Sequence, residues 1–111
     1  MNPLLSRGVL VLAATAFCSL PLVAQADNKH VSEAVEHAKE AAAHGKQGHA
    51  DALVKHAEGA LKHAEAAGVK NPHLDEGVKH LKEAIEHGKA GHADVATQHA
   101  EGAVTHLSEV K

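Results

Sequence analysis

The stretch HGKQGHAD, His44–Asp51, returns 43 residues later as HGKAGHAD, His87–Asp94. Each copy sets two histidines across a bend with a glycine near either end: His44 and His49 in the first, His87 and His92 in the second. Outward from the bends, histidine recurs every seven residues. His37 and His30 precede the first bend, and His56 and His63 follow it. His80 and His73 precede the second, and His99 and His106 follow it. The segments between agree without gaps: VEHAKEAAAHGKQGHADALVKHAEGALKHAEA (35–66) lies over VKHLKEAIEHGKAGHADVATQHAEGAVTHLSE (78–109). One unit has been duplicated, giving repeat one at 28–68 and repeat two at 71–111.

Seven residues are about two turns of helix. With histidine at heptad position g, positions a, d and e read Val31, Ala34, Val35, Ala38, Ala41 and Ala42 in the first segment, then Ala50, Leu53, Val54, Ala57, Ala60, Leu61 and Ala64. The third segment gives Leu74, Gly77, Val78, Leu81, Ala84 and Ile85. The fourth gives Ala93, Ala96, Ala100, Ala103, Val104 and Leu107, with Thr97 as a polar exception. A stripe of this width is the core-facing side of a bundle helix. Helices are therefore predicted at 29–45, 48–67, 72–88 and 91–109. Asn28 and Asn71 are expected as N-caps, and Pro72 as a first helical residue. Gly45 and Gly88 are expected to close helices in the left-handed conformation. Short connections make neighbours antiparallel. The fold class is all-α: four antiparallel helices in an up-down bundle built from two duplicated hairpins.

The start of the chain reads differently. Arg7 precedes the apolar run GVLVLAATAFCSLPLV, and Ala24 and Ala26 stand at the spacing a signal peptidase reads. Residues 1–26 are expected to be a cleaved secretory signal peptide. The run is short for a permanent membrane span, and Phe17 before Cys18 argues against a lipid anchor. Residues 27–111 then form a histidine-rich domain without Cys, Met or aromatic Phe, Tyr and Trp, so no disulfide supports it. Its core resources are thin, since beyond Ala it holds 14 Val, Leu and Ile residues, and one marginal domain is the most it can build. The formal charge of the whole chain is -3. A mildly acidic chain without aromatic residues is not expected to bind nucleic acid or an anionic membrane surface.

All 12 histidines fall within 27–111. Folding each hairpin at its bend sets His30 opposite His63, His37 opposite His56 and His44 opposite His49. In the second hairpin His73 meets His106, His80 meets His99 and His87 meets His92. Successive rungs are expected roughly 10 Å apart, from seven residues at ~1.5 Å rise. Glu33 and Glu40 alternate with histidine on the first helix, and Glu76 and Glu83 on the third. Each either joins a rung or pairs with a nearby lysine, as Glu83 can with Lys79. Two imidazoles and a carboxylate form a ligand set for Cu²⁺, Ni²⁺ or Zn²⁺, with Cu²⁺ favoured by the Irving–Williams order. A single histidine in this setting is ordinarily just a solvated side chain; twelve in register need a reason. The competing reading is a structural bundle whose histidines sense pH, since imidazole changes charge in mild acid.

Enzymatic readings find little support. Di-iron carboxylate bundles use Glu-x-x-His, whereas this chain repeats His-x-x-Glu. No haem-attachment motif, phosphate-binding glycine loop or nucleophilic triad stands out. The heptads VKHAEGALKHAEAA (54–67) and HGKQGHAD resemble those of the small periplasmic metal-binding protein family SmbP, over essentially all of 27–111. The resemblance implies a monomeric four-helix bundle in the periplasm that holds several divalent ions and buffers or sequesters copper.

Overall fold

The computed structural model describes residues 29–110. The expected signal peptide and the Asn28 cap lie outside these residues. Four helices account for nearly all of them: α1 at 29–46, α2 at Ala50–Ala66, α3 at Pro72–Lys89 and α4 at Ala93–Ser108. Each boundary falls within two residues of its expected place. Asn71 caps α3 by accepting a 2.8 Å hydrogen bond from the His73 N–H, with Pro72 at the first position. Asp51 and Asp94 occupy the first turns of α2 and α4, where the helix dipole favours a negative charge.

The bends close differently from the expectation. Gly48 and Gly91, with φ of 82° and 85°, take the left-handed conformation; Gly45 and Gly88 stay helical. The His49 N–H reaches back to the His44 carbonyl at 2.9 Å, and the Gly48 N–H to the Gly45 carbonyl at 3.0 Å. His92 bonds His87 at 2.9 Å in the same way, and Gly91 bonds Gly88 at 3.1 Å. This is a Schellman closure, in which the left-handed residue sits three past the first glycine. It also joins the backbones of the two bend histidines directly, so the histidine register carries across the turn.

Gly45 and Gly88 serve packing instead. Both are buried. A Cβ on Gly45 would overlap the Thr97 hydroxyl of α4 and stand 2.6 Å from Leu53 Cδ1. A Cβ on Gly88 would stand 2.6 Å from Val54 Cγ2. Val54 and Thr97 are equivalent across the duplication, so the two contacts are copies of one another. The ion pairs repeat the symmetry: Lys46 with Glu101 at 2.9 Å joins α1 to α4, and Lys89 with Glu58 at 3.6 Å joins α3 to α2. The helices thus form a ring, α1–α2–α3–α4, whose halves are related by a pseudo-twofold axis.

Alanine dominates the interior, from Ala34 and Ala38 through Ala57 and Ala60 to Ala100 and Ala103, and the largest fully buried side chains are Leu53, Leu81 and Leu107. Small side chains let the helix axes approach, which is what allows a histidine on one helix to reach its neighbour. Thr97, the polar exception of the apolar stripe, is buried and donates its hydroxyl to the Ala93 carbonyl at 2.6 Å. That bond satisfies the only polar residue buried as a whole among the described residues. None of the described helices is long and apolar enough to cross a membrane.

Candidate metal centres

Antiparallel packing places the g positions of α1 and α2 along one seam and those of α3 and α4 along another. All six expected pairs are adjacent. Ring centroids lie 5.7 Å apart for His30–His63, 5.9 Å for His37–His56 and 6.2 Å for His44–His49. The second seam gives 5.9 Å for His73–His106, 5.4 Å for His80–His99 and 6.0 Å for His87–His92.

The rungs are not isolated from one another. Rings of successive rungs interleave, and the diagonal neighbours are stacked: His37–His63 at 5.3 Å, His44–His56 at 5.0 Å, His80–His106 at 5.3 Å and His87–His99 at 5.4 Å. The cause is the tilt of helical side chains toward their own N-terminus. On antiparallel helices the two tilts oppose. His37 leans away from the bend and His63 leans toward it, so this diagonal closes while the other one opens. The product is two continuous columns, 30–63–37–56–44–49 and 73–106–80–99–87–92.

Carboxylates border both columns. Glu33 lies 3.2 Å from His63 Nδ1, Glu40 3.2 Å from His56 Nδ1, and Glu83 3.2 Å from His99 Nδ1. Among the described residues none of the three pairs with a lysine; Glu83 faces His99 rather than Lys79. Four groups bring three ligand atoms within 4.8 Å of one another: His30, Glu33 and His63; His37, Glu40 and His56; His80, Glu83 and His99; and Glu76, His80 and His106. The last runs along a diagonal. His44, His49, His87 and His92 form ring pairs at the bends without a carboxylate in such a group, and His73 is paired with His106 alone.

Donor spacing suits a transition-metal ion. Nδ1 of His80 lies 3.2 Å from Nδ1 of His99, and the same atoms of His30 and His63 are 3.5 Å apart. Ligands bonded at about 2.0–2.1 Å stand about 2.8–3.0 Å from an adjacent ligand in square-planar coordination and about 3.3–3.4 Å in tetrahedral coordination. Nδ1 of His37 and Nδ1 of His44 are buried with no hydrogen-bond partner among the described residues. Such atoms are costly unless something else satisfies them, and a cation between the rings would do so.

Two residues that the heptad pattern leaves unexplained shape the columns. A Cβ on Gly59 would stand 3.3 Å from Nδ1 of His37, and one on Gly102 would stand 3.1 Å from the ring of His80. The middle imidazole of each column thus rests on bare backbone of the facing helix. The signal was present in the sequence: Gly59 and Gly102 are equivalent across the duplication, three residues after one histidine and four before the next.

No curated protein matches the sequence. The family model described as small metal-binding protein matches residues 4–110, almost the entire chain. Twelve histidines in two columns, bordered by carboxylates, accord with that description, and the chain belongs to the small metal-binding protein family.

Proposed function

We propose that the chain is exported to the periplasm, loses residues 1–26 and reversibly sequesters several divalent transition-metal ions there, Cu²⁺ in preference to Ni²⁺ and Zn²⁺. The observation that carries this reading is the convergence of imidazole nitrogens and carboxylate oxygens within 4.8 Å at four places along two columns. Imidazole and carboxylate together suit all three ions, and among them Cu²⁺ binds such donors most strongly. Residues 27–111 offer neither thiolate nor thioether, the donors that would select Cu⁺. Near-copies of one arrangement favour storage of several equivalent ions over turnover at a single asymmetric site. The columns are half-open to solvent and water completes the coordination, so binding is reversible. The protein acts as a single chain, because both columns are complete within it.

Thermal unfolding of residues 27–111 with and without Cu²⁺ tests the reading. Metal binding requires unprotonated imidazole. Cu²⁺ raises the midpoint near pH 7 and leaves it unchanged near pH 4–5. If the midpoint fails to move at neutral pH, sequestration is wrong and a proton-responsive bundle takes its place.

A further inference from the structure

We infer that each histidine column is a single shared ligand array with two registers, so that an ion held on a rung can equally be held on the adjoining diagonal. The inference rests on the metal-binding reading above and concerns how its ligands are allotted.

His80 carries the case. With Glu83 and His99 it forms a rung group, and with Glu76 and His106 it forms a diagonal group, both with ligand atoms within 4.8 Å. His106 in turn is the rung partner of His73 at 5.9 Å. One imidazole is therefore placed for two ions on opposite sides, and every other ring of a column except the two at its ends likewise has a ring neighbour on each side. Diagonal ring pairs span 5.0–5.4 Å and rung pairs 5.4–6.2 Å, so the rings of the diagonal register stand at least as close as those of the rung register. An ion can pass from rung to diagonal by releasing one imidazole and taking the next while the other stays bound. No helix has to move. A helix lattice alone would give fixed rungs; the opposed tilt of the side chains creates the second register.

The two allotments give different losses when histidines are removed in pairs. Cu²⁺ is titrated into residues 27–111 and bound ions are counted by native mass spectrometry for three proteins: wild type, H80Q/H99Q and H73Q/H99Q. H80Q/H99Q removes one whole rung and costs one ion under either allotment. H73Q/H99Q breaks two rungs, but leaves His80 and His106 with Glu76, as well as His87 and His92. A shared array loses one ion there; independent rungs lose two. H30Q/H56Q repeats the comparison in the other column, where His37 and His63 remain as a stacked diagonal at 5.3 Å. Both variants change solvent-facing or half-buried rings, and circular dichroism verifies that the helices persist. Loss of one ion in H73Q/H99Q and H30Q/H56Q is the expected result. Loss of two in either, with wild-type binding intact, overturns the shared array and leaves metal binding standing. A wild-type chain that takes up no Cu²⁺ overturns both.

Discussion

The ring of His44 stands 5.0 Å from that of His56 and 6.2 Å from that of His49, although His49 is its partner across the bend. The nearer neighbour is seven residues further along the second helix. Backbone hydrogen bonding ties His44 to His49, while side-chain tilt carries the His44 ring toward His56. Bend and column thus impose different pairings on the same imidazole, and this conflict makes a continuous array out of separate rungs.

Gly59 and Gly102 separate folding from ligation. Both lie within helices, where Gly→Ala adds up to about 1 kcal/mol of stability. The new methyl, however, would press on the ring of His37 or His80 at 3.3 or 3.1 Å. Those rings are partly exposed and can swing away, so the metal-free midpoint of G59A or G102A stays level or rises. Cu²⁺ affinity at the affected column falls by about threefold to tenfold, roughly 0.7–1.4 kcal/mol. Calorimetric titration alongside thermal melts tests the split, and a parallel fall in both quantities would make these glycines ordinary packing residues.

Gly45→Ala should behave in the opposite way. Here the methyl meets Thr97 and Leu53, both buried and unable to retreat. Overpacking of this kind costs about 1–3 kcal/mol, more than helix propensity returns. For a domain of this size each kcal/mol lowers the midpoint by roughly 4–8 °C. G45A/T97A, which clears the hydroxyl from the path, recovers part of the loss. A G45A midpoint equal to wild type would mean that the α1–α4 approach is looser than the contact between Gly45 and Thr97 implies.

These glycines mark the boundary of what the sequence discloses. Helix count, helix limits and the six rung pairs all follow from a seven-residue period, because heptad position fixes which face a residue occupies. A period says nothing about tilt along the axis, so the diagonals His37–His63 and His87–His99 were hidden. Nor does it separate a glycine needed for backbone shape from one needed for closeness. Gly45 and Gly48 both flank the first bend, and only the three-residue offset of the Schellman closure decides which turns left-handed. The partners of Glu58 and Glu101 were equally out of reach, since Lys89 and Lys46 come from the other hairpin.

Those two ion pairs should matter little. Lys46, Glu101, Lys89 and Glu58 have side chains between 47% and 65% exposed, where screened pairs are worth about 0–1 kcal/mol. Neither glutamate belongs to a group that brings ligand atoms together. E58Q and E101Q should therefore melt within a few degrees of wild type and bind as many Cu²⁺ ions. A lost ion in either variant would place a ligand outside the two columns.

Leu81 connects core and columns most directly. It is fully buried on α3, next to His80, in an interior otherwise built mainly from alanine. Leu→Ala at such a site costs about 2–5 kcal/mol. A small alanine-rich bundle has little stability to spare, since small domains bury a low fraction of their surface, so metal-free L81A should lose much of its helical circular dichroism at 37 °C. Metal acts in the other direction. An ion that binds only the folded chain adds about 2.7 kcal/mol per site when its free concentration is 100 times the dissociation constant. Two or three ions therefore outweigh the lost leucine, and Cu²⁺ should restore the helical signal of L81A at pH 7 but not at pH 4–5. Failure to recover at neutral pH, with wild type still binding, would mean that ions attach to the unfolded chain nearly as well as to the columns, and that the fold does not organise the ligands.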